Sequence, residues 1–262
     1  MIDAQNKTTT LYSYQKGIGA NTEAILNRTL RRILYGDLYV NGGGGGGGGD
    51  DIYFANVVSL NHFDGVNGEV SSTDVKAGVS WALNATRLSS DQSKFGMTSL
   101  KGNKSKADLT FPSEIGADDF TIEFWVYPTA ASIEYFFSTP YVISKWFAVG
   151  FDGEKKKFLT FSTSFGWKMS AETFDLNTWH HVAIVKTAGY LKFYVNGQNI
   201  TASPDPETND YTYTLLHISG TPTDISSSAS WFSGFIDEFR YTHGVARYTE
   251  NFTPPTIAFP DS

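Results

Sequence analysis

The stretch from Asn177 to Gly197, NTWHHVAIVKTAGYLKFYVNG, leaves the backbone few choices. Trp179 to Val185 is a near-continuous apolar run, the pattern of a strand in the middle of a sandwich. Leu191, Phe193 and Val195 then alternate with Lys192, Tyr194 and Asn196, a period of two that places one set on each face of a strand. Asn196-Gly197 closes a tight hairpin, since both residues tolerate the positive φ that such turns require. The same alternation recurs upstream, where Phe120, Ile122, Phe124 and Val126 interleave with Thr121, Glu123, Trp125 and Tyr127. It recurs again from Phe235 to Tyr241. Many short strands with Gly, Asn and Asp turns predict an all-β antiparallel sandwich or jelly roll.

A chain of 262 residues has room for one large β domain and a small extra segment. With 40% hydrophobic residues, 20 Phe and 14 Tyr, it can fill the core of such a sandwich. It contains no Cys, which excludes a disulfide framework, a thiolate metal site and a Cys nucleophile, and fits folding in a reducing cytoplasm. Residues 1–20 lack the apolar core of a signal peptide, and no apolar run approaches 18 residues. The chain is therefore expected to be neither classically secreted nor inserted in a membrane. The net charge of −7 is uneven. Residues 1–50 carry five Lys or Arg against four acids, so the acidity belongs to the remainder. An acidic body disfavours nucleic acid, because phosphate binding needs a basic surface.

Eight consecutive glycines, Gly42 to Gly49, divide the chain. They cannot build a core and are costly to order, and as a flexible coil they would span about 15 Å. Ahead of them Leu26, Leu30, Ile33 and Leu34 share one face at helical spacing. Asn21 or Thr22 can cap that helix, Glu23 suits its first turn, and Gly36 ends it. A helix of about 15 residues is marginal alone, so its apolar stripe needs a partner, either the sandwich or another chain. The organisation expected is an arm with one helix over 1–41, a linker over 42–50 and a sandwich over 51–262.

Several segments resemble laminin-G-like, concanavalin A-like lectin jelly rolls. They are Val57–Gly65 (VVSLNHFDG), Lys94–Leu100 (KFGMTSL), Phe120–Pro128 (FTIEFWVYP), Asn177–Gly197 and Gly234–Tyr248 (GFIDEFRYTHGVARY). The last of these, with the tail Asn251–Pro255, is similar to domains of tailed-bacteriophage virion proteins. The resemblance covers about 210 residues and implies the sandwich fold. It also implies a virion-surface protein made in the host bacterial cytoplasm, of tail-fibre or adhesin type, or else a capsid decoration protein or head fibre. Its arm would contact other virion proteins or form a homo-oligomer, with a trimer favoured, and its sandwich would meet a host surface polysaccharide. Family members also hold calcium where the first and last strands meet. That implies a structural calcium between Asp64 and Asp237, suited to an ion that takes six to eight hard oxygens.

The sequence offers little for catalysis. Glycosidases on this sandwich need clustered carboxylates on one strand face, and no such run is present. Asp237 and Glu238 are adjacent and are expected to point to opposite faces. His180 and His181, as strand neighbours, should diverge, and His62, His217 and His243 stand isolated without ligand spacing. No nucleophile elbow and no phosphate loop occur. The chain thus reads as a binding or structural module. Exposed aromatics would carry sugar binding, because ring faces stack on the apolar faces of pyranoses. Trp125 and Tyr127 on the polar-alternating face, and Trp146, Trp167 and Trp231 near loops, are the candidates.

Overall fold

The computed structural model describes residues 51–102, 105–141, 145–164, 166–201, 206, 209–220 and 231–262. The helix carrying Leu26, Leu30, Ile33 and Leu34, and the glycine run, lie outside the described residues. Among the described residues no helix is long and apolar enough to cross a membrane.

The strands form two facing antiparallel sheets. The first contains β1 (Val57–Asn61), β3 (Arg87–Ser89), β4 (Ser99–Lys101), β6 (Phe120–Tyr127), β11 (His180–Thr187), β12 (Tyr190–Val195), β13 (Gln198–Asn199) and β15 (Phe235–His243). Its order is β13-β12-β11-β6-β15-β4-β3, with β1 also paired to β15. The second contains β2 (Ser80–Ala82), β5 (Ala107–Thr110), β7 (Ile133–Ser138), β8 (Phe147–Asp152), β9 (Lys157–Ser162), β10 (Gly166–Met169) and β14 (Leu215–Ile218). Its order is β10-β9-β8-β7-β14-β5-β2. This is the all-β sandwich that the alternation predicts.

The core lies between the sheets and is largely aromatic. Phe120, Ile122, Phe124 and Val126 of β6 all face it, as do Leu191, Phe193 and Val195 of β12. Phe124 packs against Phe136, Phe137 and Phe239 at centroid distances of 5.8–6.2 Å. Burial of this much apolar area, at about 25 cal/mol per Å², drives the two sheets together. The hairpin between β12 and β13 turns at Asn196-Gly197, both at positive φ, as expected.

The alternation in β15 is interrupted. Ile236, Phe239 and Tyr241 face the core, so the phase slips by one at Asp237-Glu238. A β-bulge causes the slip: the register against β6 shifts between Asp237 and Arg240, and Glu238 adopts φ +53. Both carboxylates consequently leave the core face on the same side, which corrects the expectation that they diverge. One extra residue in a strand suffices to reverse that inference, because side-chain direction depends only on parity.

After β15 the chain runs back over the outer face of the first sheet as a strap. Ala246, Tyr248 and Phe252 pack on Ala183, Val185 and Tyr194, and Phe259 packs on Val57 and Leu60. The strap crosses the hairpin tip directly, where a Cβ on Gly197 would collide with the Phe252 carbonyl. The Asp51 N–H donates to the Ser262 carbonyl at 2.8 Å, so the two ends of the sandwich meet on this face.

Candidate functional site

The outer face of the first sheet is charged but sealed. Glu123 is fully buried and accepts from Arg240 Nε at 2.9 Å and Nη2 at 2.7 Å, and from the Tyr248 hydroxyl at 2.8 Å. Arg247 and Arg240 donate to the Asp51 carboxylate at 2.7–3.1 Å. Burial opposes ionisation of Glu123, but the Arg240 guanidinium outweighs it and holds the carboxyl well below the usual range. His181 Nε2 lies 3.3 Å from the same carboxylate. Glu123, Arg240, Arg247, Tyr248 and Asp51 satisfy one another here, whereas both His181 ring nitrogens are buried without a hydrogen-bond partner among the described residues.

Trp125 belongs to this covered face. It is 5% exposed, lies edge-on to His181 at 5.2 Å, and carries the Lys94 ammonium 3.9 Å over its ring. Its expected role as an exposed sugar platform is therefore corrected: polar alternation marks the face away from the core, but the strap and the Lys94 loop cover that face. Tyr127, at the strand end, is half-buried against Trp179 and Phe235.

Asp64 and Asp237 grip one loop from its two ends. Asp64 Oδ1 accepts from the Met97 N–H at 3.2 Å. Asp237 Oδ2 accepts from the N–H groups of Lys94 and Phe95 at 2.7 and 3.1 Å, and its Oδ1 from that of Glu238. Burial and the nearby Glu238 carboxylate push Asp237 up, against those three donors. The backbone amides do here what a cation would otherwise do for these acids. Among the described residues no three His, Asp or Glu side chains converge as a metal site. The calcium expectation stands as a proposal, tested below.

The outer face of the second sheet is different. Trp167 on β10 pairs in register with Phe161 on β9, their rings 4.6 Å apart. Trp146 stacks on Phe161 at 4.1 Å and meets Trp167 edge-on at 6.2 Å, while Tyr141 abuts Trp146 at 5.7 Å. Tyr135 on β7 tilts against Trp167 at 5.4 Å and bridges by its backbone to Trp231. Trp146 and Trp167 thus join one aromatic strip, and Trp231 adjoins it through its backbone. Their exposures differ: Trp146 is 5% exposed and serves as support, Trp231 is half-buried, and Trp167 offers half its surface to solvent.

Tyr135 and Phe161 escaped the sequence reading. The signal available was parity: in β8 Phe147, Val149 and Phe151 face the core, so the residues paired with Ala148 and Gly150, namely Phe161 and Tyr135, must face out. A Cβ at Gly150 would come 2.5 Å from the Glu134 carbonyl oxygen and 2.6 Å from the Tyr135 ring. The same face holds an ionic cluster, in which His217 Nδ1 lies 2.6 Å, and Lys106 Nζ 2.9 Å, from Asp108 Oδ1. His217 therefore has partners that its isolation in sequence did not suggest.

The two-sheet sandwich is of the lectin-like fold class. The family model described as the concanavalin A-like lectin/glucanases superfamily matches residues 101–246, and the chain belongs to that family. Among solved structures, a Trypanosoma rangeli sialidase in complex with sialic acid matches at 12% identity and TM-score 0.57, over 74% of this chain and 32% of that one. The chain thus spans about a third of the sialidase, and the likeness is one of fold. Domain 4 of AbnA, an extracellular arabinanase of Geobacillus stearothermophilus in complex with arabinotriose, matches at 18% identity and TM-score 0.49, over 73% and 94%. No curated protein sequence matches the chain.

Proposed function

We propose that this chain is a bacteriophage virion protein of tail-fibre or adhesin type whose sandwich binds a host surface glycan without cleaving it. The observation that carries the glycan reading is the aromatic strip, with Trp167 half exposed and braced by Tyr135, Phe161 and Trp146. A ring held from behind loses little entropy on binding and can stack on a pyranose face. The acids of β15 support the absence of hydrolysis: Asp237 and Glu238 are sealed at 0% exposure and committed to backbone N–H groups and His62. The virion context rests on the sequence resemblance of residues 234–255.

Single shallow contacts are weak, and several copies on a particle raise avidity without new contacts. The test is a glycan array probed with the full chain and with an artificially oligomerised form. Weak retention that strengthens on oligomerisation, and is lost in Trp167→Ala without a change in melting, supports the proposal. Released product sugars would overturn the non-catalytic part, and no binding in either format would overturn the glycan part.

A further inference from the structure

Resting on that glycan-binding reading, we infer that the aromatic strip is one end of a longer site whose other end is the Lys106–Asp108–His217 cluster, and that its ligand is a neutral oligosaccharide of several units. The pairings place Asp108, His217, Ser138, Ala148, Phe161 and Trp167 in one row across β5, β14, β7, β8, β9 and β10. Their parity puts all six on the outer face. From β14 to β10 is four strand spacings, about 19 Å.

The middle of the row is covered. Ser138 and Ala148 are small and fully buried, and the Ser138 hydroxyl donates to the Gly220 carbonyl at 3.3 Å. Trp231 stands beside Gly220: a Cβ on Gly220 would lie 2.6 Å from its ring and 3.6 Å from Lys106 Cβ. The half-buried indole of Trp231 therefore sits between the aromatic end and the ionic end, which gives one surface with three contact points.

The ionic end is built to hold an imidazole in one orientation. Asp108 Oδ1 takes both His217 Nδ1 and Lys106 Nζ, and Asn84 Nδ2 reaches Oδ2 at 3.3 Å. Burial works against the Asp108 charge, but hydrogen bonds from His217 and Lys106 bring its carboxyl down to about 2. Nδ1 lies 2.6 Å from Asp108 Oδ1 and 3.1 Å from Lys106 Nζ; in the neutral tautomer that gives its Nδ1–H to Asp108, Nε2 carries the lone pair. His217 is 4% exposed, and Nε2 has no partner among the described residues, yet it is not one of the sealed polar atoms. It faces outward as an acceptor for a hydroxyl. Lys106 and Asp108 cancel in charge, so the cluster recognises hydroxyls rather than an anionic sugar.

The experiment takes the polysaccharide retained by the full chain on the array, cut by mild acid into size-fractionated oligosaccharides, and measures each by calorimetry against the full chain. Affinity is expected to climb with length until the oligomer covers the row and then level off, with the single sugar at least tenfold weaker. His217→Phe is expected to weaken the longest oligomer at least tenfold and leave the shortest unchanged, and Lys106→Met to follow the same pattern. Trp167→Ala should weaken every length. An affinity independent of length, or equal losses for short and long oligomers in both cluster variants, overturns the two-ended site while glycan binding stands. A polyanionic fraction binding more tightly than the neutral ladder overturns the ligand class. No retained polysaccharide at all removes both readings.

Discussion

Alkali should release the strap, and His62 sets where. Its Nδ1 lies 2.8 Å from Glu238 Oε2 and its Nε2 2.8 Å from Asp261 Oδ1, so both ring nitrogens face carboxylates and both must carry protons. Burial favours the neutral ring, but the Glu238 charge and the hydrogen bonds to Asp261 and Glu238 outweigh it, and the group rises to about 10 from 6.5. At 1.36 kcal/mol per pKa unit this corresponds to roughly 5 kcal/mol as an upper bound. The Asp261 side chain is 27% exposed, and solvent screening there reduces the working figure to about 3 kcal/mol. Because the folded value is raised, the contribution is complete below pH 6.5 and is lost as pH climbs through about 10. For a domain of this size about 3 kcal/mol corresponds to roughly 6–12 °C in Tm. Thermal melts of the full chain and of His62→Gln from pH 6 to 10.5 provide the assay. Other Lys and Tyr groups titrate in the same range, so the readout is the difference between the two proteins. It should be large at pH 6 and close toward zero above pH 10. Protection of the Phe259 amide from hydrogen exchange should fall in step, because its N–H donates to Glu238 at 2.9 Å. A difference in Tm that stays constant over the whole range would refute the argument.

Other perturbations have equally definite outcomes. Glu123→Ala takes from the buried Arg240 its nearer carboxylate, leaving only Asp51 to Arg240 and Arg247, and should cost about 3 kcal/mol in denaturant unfolding. If a structural calcium joins Asp64 and Asp237, a chelator lowers the Tm and Asp64→Asn removes that sensitivity; an unchanged melt leaves both acids to their backbone donors. The sandwich carries its own core, so a fragment starting at Asp50 should be soluble and melt cooperatively, and an unfolded fragment would place the boundary elsewhere. Leu30→Ala and Ile33→Ala should reduce incorporation into particles more than they reduce Tm; full incorporation would show that the arm anchors by other residues.

Period-two patterning determined the sandwich from sequence alone, because a strand buried on one face must alternate. Phe120–Val126 and Leu191–Val195 accordingly face the core where their spacing puts them. The Asn196-Gly197 turn was legible for the same local reason, since few residue pairs tolerate its φ values. The bulge at Asp237-Glu238 was not, because an inserted residue changes register without leaving a compositional mark. Nor was the fate of the outward residues. Trp125 and Trp167 both occupy outward positions, yet one is sealed by the Lys94 loop beside the strap and the other stands half in solvent. Only packing between segments far apart in sequence separates them. His217 looked solitary for a related reason: its partner Asp108 lies 109 residues away and meets it through the pairing of β14 with β5. Alternation tells a side chain which face it leaves, and the tertiary structure decides what waits for it there.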